Sequence, residues 1–501
     1  MEKKTAVSRN IRDNEKYIRK RCEGCADIQI RPMQLGQGKK LSCLVVYIET
    51  AVSNMILEDS MIGRMVNRLY DAPADQIPKL IRENALGISD VQELEDMEGA
   101  MKAMLAGNAI FFFDTYDKAL KIGAKGYPNM GVNKAESEKV LRGSKEGFSE
   151  SEKTNTALIR KRIRSTKLKV EEMQVGTRSD TMVALVYMEG LVYDDLLEEI
   201  RDRLNSCEID GVLDTGVLEQ MAEENWLSPF PQFETTERPD KAAMELLNGR
   251  VAVLCDNSPS ALLVPTTLNS FLQVTEDRYN RFELASFQRM LRYAAIVLAL
   301  LISGIYLAVI NFHTQILPTR LLLSFAEARR GVPFPSILEV LFMEIAFELI
   351  REAGVRMPGP LSGTIGIVGG LIIGDAAVSA NLVSPMAVVV VAVSALSSFA
   401  IPDETFSTPF RLLKYGFIFL GGLLGIFGII CGLYLLLGHL SGLKSFGIPY
   451  LMPFVGKGLE DYKDERNSVW RAPFWWMNRR PVFAKRGERI RLRKKQGEER
   501  K

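Results

Sequence analysis

Histidine is almost missing from this chain of 501 residues: there are two, His313 and His439, and both flank long apolar runs. No His-Glu-x-x-His pattern and no Gly-x-Ser-x-Gly elbow occurs, which excludes the usual zinc-hydrolase and serine-hydrolase arrangements. The phosphate-binding pattern Gly-x-x-x-x-Gly-Lys-Ser/Thr is also missing, so nothing points to nucleotide-driven transport. Six cysteines (Cys22, Cys25, Cys43, Cys207, Cys255 and Cys431) are scattered along the chain. That is no disulfide framework and suits a reducing compartment. Cys22-x-x-Cys25 has no second pair to complete a zinc site, and we expect no metal, no cofactor and no conventional enzyme. The charged stretch Met1 to Arg21 lacks the apolar core of a secretory signal, so the N-terminal part is expected to stay in the cytoplasm.

What is present divides the chain in two. From Met1 to about Met290 it is rich in Lys, Arg, Asp and Glu, whereas Leu291 to Leu440 is dominated by Leu, Ile, Val, Ala, Phe and Gly. A net charge of +2 favours no particular partner. The segment after Lys457 carries about twice as many Lys and Arg as acids and includes the basic run Arg489 to Lys495, as expected of a cytoplasmic tail next to anionic lipid.

The polar part contains a duplication. Leu44 to Thr50 (LVVYIET) resembles Ala184 to Gly190 (ALVYMEG), and Leu105 to Leu120 resembles Leu246 to Leu262, pairing Gly107 with Gly249 and Asp114 with Asp256. Each copy reads strand, helix, linker, helix, Gly, strand, tight turn, strand, with the Gly as a helix C-cap and the Asp in a hairpin link. The predicted fold class is therefore an α/β soluble N-terminal region of two similar lobes, followed by an all-α multi-span membrane domain. The predicted boundaries are a charged arm over 1–40, lobes over 41–131 and 181–285 with a charged linker over 132–180 between them, a helical membrane domain over 286–442 and a basic tail over 443–501.

The apolar part shows five segments: Tyr293 to Ile310, Phe334 to Ile350, Leu361 to Val383, Met386 to Ile401 and Tyr415 to Leu440. The third and fourth, separated by Val383-Ser384-Pro385, should form a tight helical hairpin, and the fifth is long enough to cross a bilayer. Five full crossings would put the basic tail outside, so parity asks that one segment not cross or that a sixth does. The Glu-bearing second segment, with amphipathic Leu317 to Arg330, is the candidate for an interfacial or re-entrant position.

Charged groups cost about 2.5–3.5 kcal/mol each inside a membrane segment, so Glu339, Glu344 and Glu348 require a reason. Glu344 and Glu348 share one helical face. They suit either the lining or gating of a water-filled cation route or pairing with Arg320, Arg329, Arg330, Arg351 or Arg356. Asp375 suits the same route or a helix break near Asn381. Gly366, Gly370 and Gly374 recur at four-residue spacing, as do Gly421 with Gly425 and Gly428 with Gly432, a pattern that lets helices approach closely.

Arg142-Gly143-Ser144-Lys145-Glu146-Gly147-Phe148, continued by Asn155, Arg160 and Arg162, resembles the hallmark of the GerA-type spore germination proteins. So do Gly331 to Pro335, Arg351 to Gly354, Thr364 to Gly374 and Phe446 to Leu451. Ser144 stands where many receptor A subunits are expected to carry Pro, and Ile11 to Lys20 resembles the stage V sporulation AF protein, a relative with different partners, so the resemblance leaves both branches open. The resemblance implies a multi-pass protein of the inner spore membrane, with lobes and tail cytoplasmic. It also implies a homo-oligomer acting beside a permease-like B subunit and a lipoprotein C subunit, or equivalent germination proteins, and conducting ions. A secondary transporter subunit and a non-conducting scaffold are the alternatives, and no nucleic acid is implied.

Overall fold

The computed structural model describes residues 5–36, 41–52, 72–73, 76–82, 91–127, 134–206, 208–356, 374–455 and 467–491. The chain divides into two units. The first comprises Met1–Glu224, Gln232–Thr266 and Phe474–Lys501, and the second Asn225–Pro231 and Thr267–Pro473.

In the first unit, each lobe opens with a helix, α1 (Ile11–Arg21) or α4 (Glu152–Arg162), before a five-stranded antiparallel sheet. The first sheet runs β1 (Ile28–Leu35), β2 (Leu41–Ile48), β4 (Ala109–Phe113), β5 (Ala119–Ile122), β3 (Val91–Leu94). A short helix α2 (Ile77–Arg82) precedes β3, and α3 (Met97–Leu105) follows it. The second sheet repeats that order with β6 (Leu168–Val175), β7 (Thr181–Met188), β9 (Val251–Cys255), β10 (Ala261–Val264) and β8 (Glu234–Thr236). Two helices, α5 (Asp194–Asn205) and α6 (Thr215–Ala222), lie between β7 and β8, and α7 (Pro239–Leu247) precedes β9.

The duplication extends to single hydrogen bonds. Asn14 clasps Ser8, accepting its N–H at 2.9 Å and donating to its carbonyl at 2.7 Å, and Asn155 clasps Ser149 likewise at 2.7 and 2.6 Å. Asp114 accepts the N–H of Ile11 at 3.3 Å, as Asp256 accepts that of Glu152 at 3.1 Å. Gly107 and Gly249, which the sequence pairs, both end a helix at positive φ, 88° and 96°. That region costs a residue with a Cβ but not glycine. In the first sheet, alternation buries Phe111 and Phe113 on one face and Ile110 and Phe112, against α3, on the other.

Three expected boundaries differ. The arm over 1–40 is not separate: α1 buries Ile18 completely, and β1 pairs with β2 from Ile28 opposite Ile48 to Leu35 opposite Leu41. Pro32 masks this strand in the sequence, and it is tolerated because β1 is the sheet edge. The linker over 132–180 likewise contains α4, which buries Leu158 and Ile159 between its charged ends, and β6, which buries Leu168, Val170 and Val175. The basic tail is not free, because residues 474–491 fold onto the second lobe. There Lys485 donates its N–H to the Leu191 carbonyl at 2.7 Å and its ammonium to Asp194 at 2.7 Å. Gly249 has no room for a Cβ because the Ala484 backbone would lie 2.7 Å from it.

Glu152, at the start of α4, is 2% exposed, and its Oε2 has no hydrogen-bond partner. Burial raises its carboxyl from 4.5 to about 7 against the hydrogen bond from Thr156, with the charges of Glu172 and Asp256 adding to the rise. The folded chain therefore holds this proton more tightly than the unfolded chain, and stability should fall as pH rises from about 4.5 through about 7. That shift corresponds to at most about 3 kcal/mol. Glu152→Gln should flatten that slope and stabilise the chain at neutral pH in thermal melts; an unchanged slope would refute the assignment.

The second unit is helical: α8 (Phe282–Phe312), α9 (Thr319–Ala328), α10 (Ser336–Arg356), a helical stretch at 374–379, α11 (Pro385–Phe399) and α12 (Glu404–Gly442). Among the described residues two helices, α8 and α12, are long and apolar enough to cross a membrane by length and composition. No residue of α9 is buried.

The expected single crossing over Tyr415 to Leu440 is replaced by a helical hairpin. At Gly425 the backbone takes φ 65° and ψ −149°, a region essentially reserved for glycine. A Cβ on Gly428 would lie 2.4 Å from the Leu420 carbonyl oxygen, and one on Gly432 2.9 Å from the Phe417 ring. A straight helix would hold residues eight apart about 12 Å from each other. Further along the arms, Phe230 lies 5.4 Å from Phe410 and 6.2 Å from His439, centroid to centroid. His313 Nε2 accepts the N–H of Ile426 at 3.4 Å, capping the returning arm. Gly425→Ala should cost about 1–3 kcal/mol, seen as a lower unfolding temperature in detergent. Gly416→Ala, with nothing within 4 Å, should cost nothing; equal losses would argue against the turn.

Candidate functional site

The family-like residues over 142–162 build a clasp in the second lobe. Glu146 accepts from Lys161 at 2.8 Å and from Arg162 at 2.6 Å, and Arg162 also donates to Ser144 Oγ at 3.1 Å. Phe148 is buried and donates its N–H to the Glu237 carbonyl at 2.8 Å. Gly143 takes φ 125°, and Arg142 is exposed.

Arg160 does something different, because it joins the two lobes. It is fully buried and grips Asp27 of the first lobe through Nε at 2.8 Å and Nη2 at 2.7 Å. Its Nη1 donates to the carbonyls of Ser165 at 2.8 Å and Leu168 at 3.0 Å. Beside it the Ala26 N–H donates to the Val170 carbonyl at 3.0 Å, and the Val170 N–H to the Gly24 carbonyl at 2.9 Å. Cys22 and Cys25 are buried in this junction, and burial pushes the Cys22 thiol up to about 12. Among the described residues no group of three or more His, Cys, Asp or Glu is placed to hold a metal ion.

In the helical unit the three glutamates on α10 each meet a different partner. Glu344 is fully buried between three helices: it accepts from Ser303 of α8 at 2.7 Å and pairs with Lys414 of α12 at 2.5 Å. One turn further along, Glu348 pairs with Arg411. The matching follows from antiparallel geometry, since four residues forward on α10 faces three residues back on α12. Glu339 accepts the N–H of Ser384, which begins α11, and lies 3.6 Å from Arg329. A carboxylate suits that helix N-terminus, where unpaired N–H groups carry partial positive charge.

Asp375 is exposed and apart from these pairs. Gly366 and Gly370 lie outside the described residues. A Cβ on Gly374 would meet only Val388, at an ordinary 3.6 Å. Close helix approach occurs instead at Gly304 and Gly421, where a Cβ would lie 2.6 Å from the Phe417 carbonyl oxygen and 2.3 Å from the Gly304 carbonyl oxygen, respectively. Sequence reasoning missed Lys414, Arg411, Ser303 and Gly304. A signal existed: two cations three apart before an apolar run complement two carboxylates four apart in another.

Two α/β lobes of the same antiparallel strand order, joined in one chain to an apolar helical unit with buried ion pairs between its helices, define the class of protein. The chain belongs to the Bacillus/Clostridium GerA spore germination protein family, whose pattern it matches over residues 16–483. It is similar to the uncharacterized membrane protein YfkQ of Bacillus subtilis (strain 168), 38% identical over 483 residues, 96% of this chain and 92% of that protein. It is also similar to spore germination protein A1 of the same strain, 40% identical over 384 residues, 77% of this chain and 79% of that protein. Among solved structures, it is similar to the N-terminal domain of the A subunit of the Bacillus megaterium spore germinant receptor GerK3. That match is 27% identical, covers 52% of this chain and 96% of that one, and has a TM-score of 0.40.

Proposed function

We propose that this chain is an A-type subunit of a germinant receptor-like complex in the inner spore membrane, that it oligomerises, and that its helical unit forms or gates an ion-conducting path. It acts by binding and conduction rather than by catalysis, beside a permease-like B subunit and a lipoprotein C subunit or their equivalents. The observation that carries this reading is the buried Ser303–Glu344–Lys414 set between three apolar helices. Charges there are costly to keep dry and are rarely retained for stability alone.

Topology supports it. The strap over 474–491 packs with the second lobe in one unit, which supports a topology with lobes and tail on the same side. The doubling back at Gly425 is consistent with an even number of crossings. Gating would be a shift between closed and open populations, driven by a signal that binds one state better. The paired carboxylates also suit a scaffold that conducts nothing. Ion flux through the purified chain in liposomes separates the two readings. A Glu344→Gln, Glu348→Gln variant that assembles normally should alter rate or selectivity, whereas equal flux with and without it would refute a path lined by these residues.

A further inference from the structure

Three of the four tryptophans of the chain fall within seven residues, Trp470, Trp475 and Trp476, and they are 50%, 77% and 60% exposed. Large exposed aromatics this dense are unusual on a surface that meets only water. Their place in the fold is defined at one end. The Arg471 N–H donates to Ser286 Oγ of α8 at 3.0 Å, and its guanidinium donates to the carbonyls of Asn280 at 2.6 Å and Arg278 at 3.2 Å. Trp470 is thereby held beside the second turn of α8. That is about 10 Å, at 1.5 Å per residue, before the uninterrupted apolar run that starts at Tyr293. On the same turns Leu284, Phe287 and Leu291 are each more than half exposed.

Charge points to the same surroundings. Residues 467–491 carry seven Lys or Arg and one acid, Glu488; Arg471 and Arg489 are buried and Lys485 pairs with Asp194, while Arg479, Arg486 and Arg491 are exposed. Tryptophan prefers the headgroup layer, where its ring is apolar and its N–H stays wet, and clustered cations are attracted to anionic headgroups.

We infer that residues 470–476 are an aromatic anchor seated in the headgroup layer of a bilayer that contains anionic lipid. The chain continues directly into the strap that grips Leu191 and Asp194 of the second lobe. The inference rests on the membrane reading above.

The test uses the full chain carrying Trp226→Phe, so that only these three tryptophans report, in nanodiscs containing anionic lipid; circular dichroism checks its fold. Lipid brominated near the headgroup should remove most of the tryptophan emission, and lipid brominated at the chain end should remove much less. Raising the salt should weaken the effect of the shallow bromine if the cations contribute. Emission quenched by aqueous iodide but not by brominated lipid, in a chain retained by the nanodisc, overturns the anchor and leaves the membrane reading intact. Quenching by neither means that protein, such as a second copy, covers the segment, which also overturns it. A chain not retained by nanodiscs overturns the membrane reading itself.

Discussion

Replacing Lys414 with Met while leaving Glu344 in place is expected to destabilise the helical unit by about 3–5 kcal/mol, because it strands a fully buried carboxylate without its cation. Ser303 still donates one hydrogen bond, too little to offset the desolvation. Glu344→Gln should be comparably damaging, since it strands the ammonium. The double variant Glu344→Gln, Lys414→Met should recover most of the loss, because neither charge is then buried. A double-mutant cycle from thermal unfolding in detergent measures this coupling, and additive losses would mean the pair does not act as a unit. Flux assays on the same proteins read the functional side. If the pair holds α10 and α12 in a closed arrangement, either single variant should leak ions and the double variant should leak less.

Arg160→Met should be similarly severe in the first unit, at about 3–5 kcal/mol. It leaves Asp27, 6% exposed, without its bidentate partner, and it removes one of the donors to each of the carbonyls of Ser165 and Leu168. Lysine cannot rescue it, because one ammonium cannot reproduce two parallel bonds to the carboxylate and two more to carbonyls. The consequence should be local to the seam between the lobes. Amide exchange at Ala26 and Val170, which bond across it, should accelerate well before exchange in β4 or β9. Slow exchange at both positions in a folded Arg160→Met protein would show that the parallel backbone contact, and not Arg160, holds the lobes together.

Much of the fold was legible because it is encoded locally. The runs at Leu44 and Ala184 alternate as strands do, Gly107 and Gly249 stand where a helix must end, and their repetition at a constant offset marks two copies of one lobe. What escaped was the first helix and strand of each copy. α1 and α4 are strongly charged, and β1 carries a proline, so the local signals spoke for a linker while the tertiary position demanded core. Ile18 and Ile159, each fully buried, are the residues that reveal it. The glutamates of α10 were visible as anomalies against an apolar background, but their partners were not. Of the cations considered for them, Arg329 approaches one, at 3.6 Å from Glu339. Glu344 and Glu348 turn instead to α12.

By itself, then, the sequence determined the division into a polar and an apolar part, the duplicated lobes and the presence of costly charges among apolar residues, all consequences of composition and short-range periodicity. Only the tertiary structure decided which charges meet, where the last apolar segment reverses and where the basic tail docks. Those outcomes depend on which elements become neighbours: Glu344 and Lys414 are 70 residues apart, and nothing in either local stretch specifies the other. Gly425 illustrates the same limit, since a glycine in an apolar helix permits close packing or a reversal, and the contacts of Phe417 and Leu420 with the returning arm select the reversal.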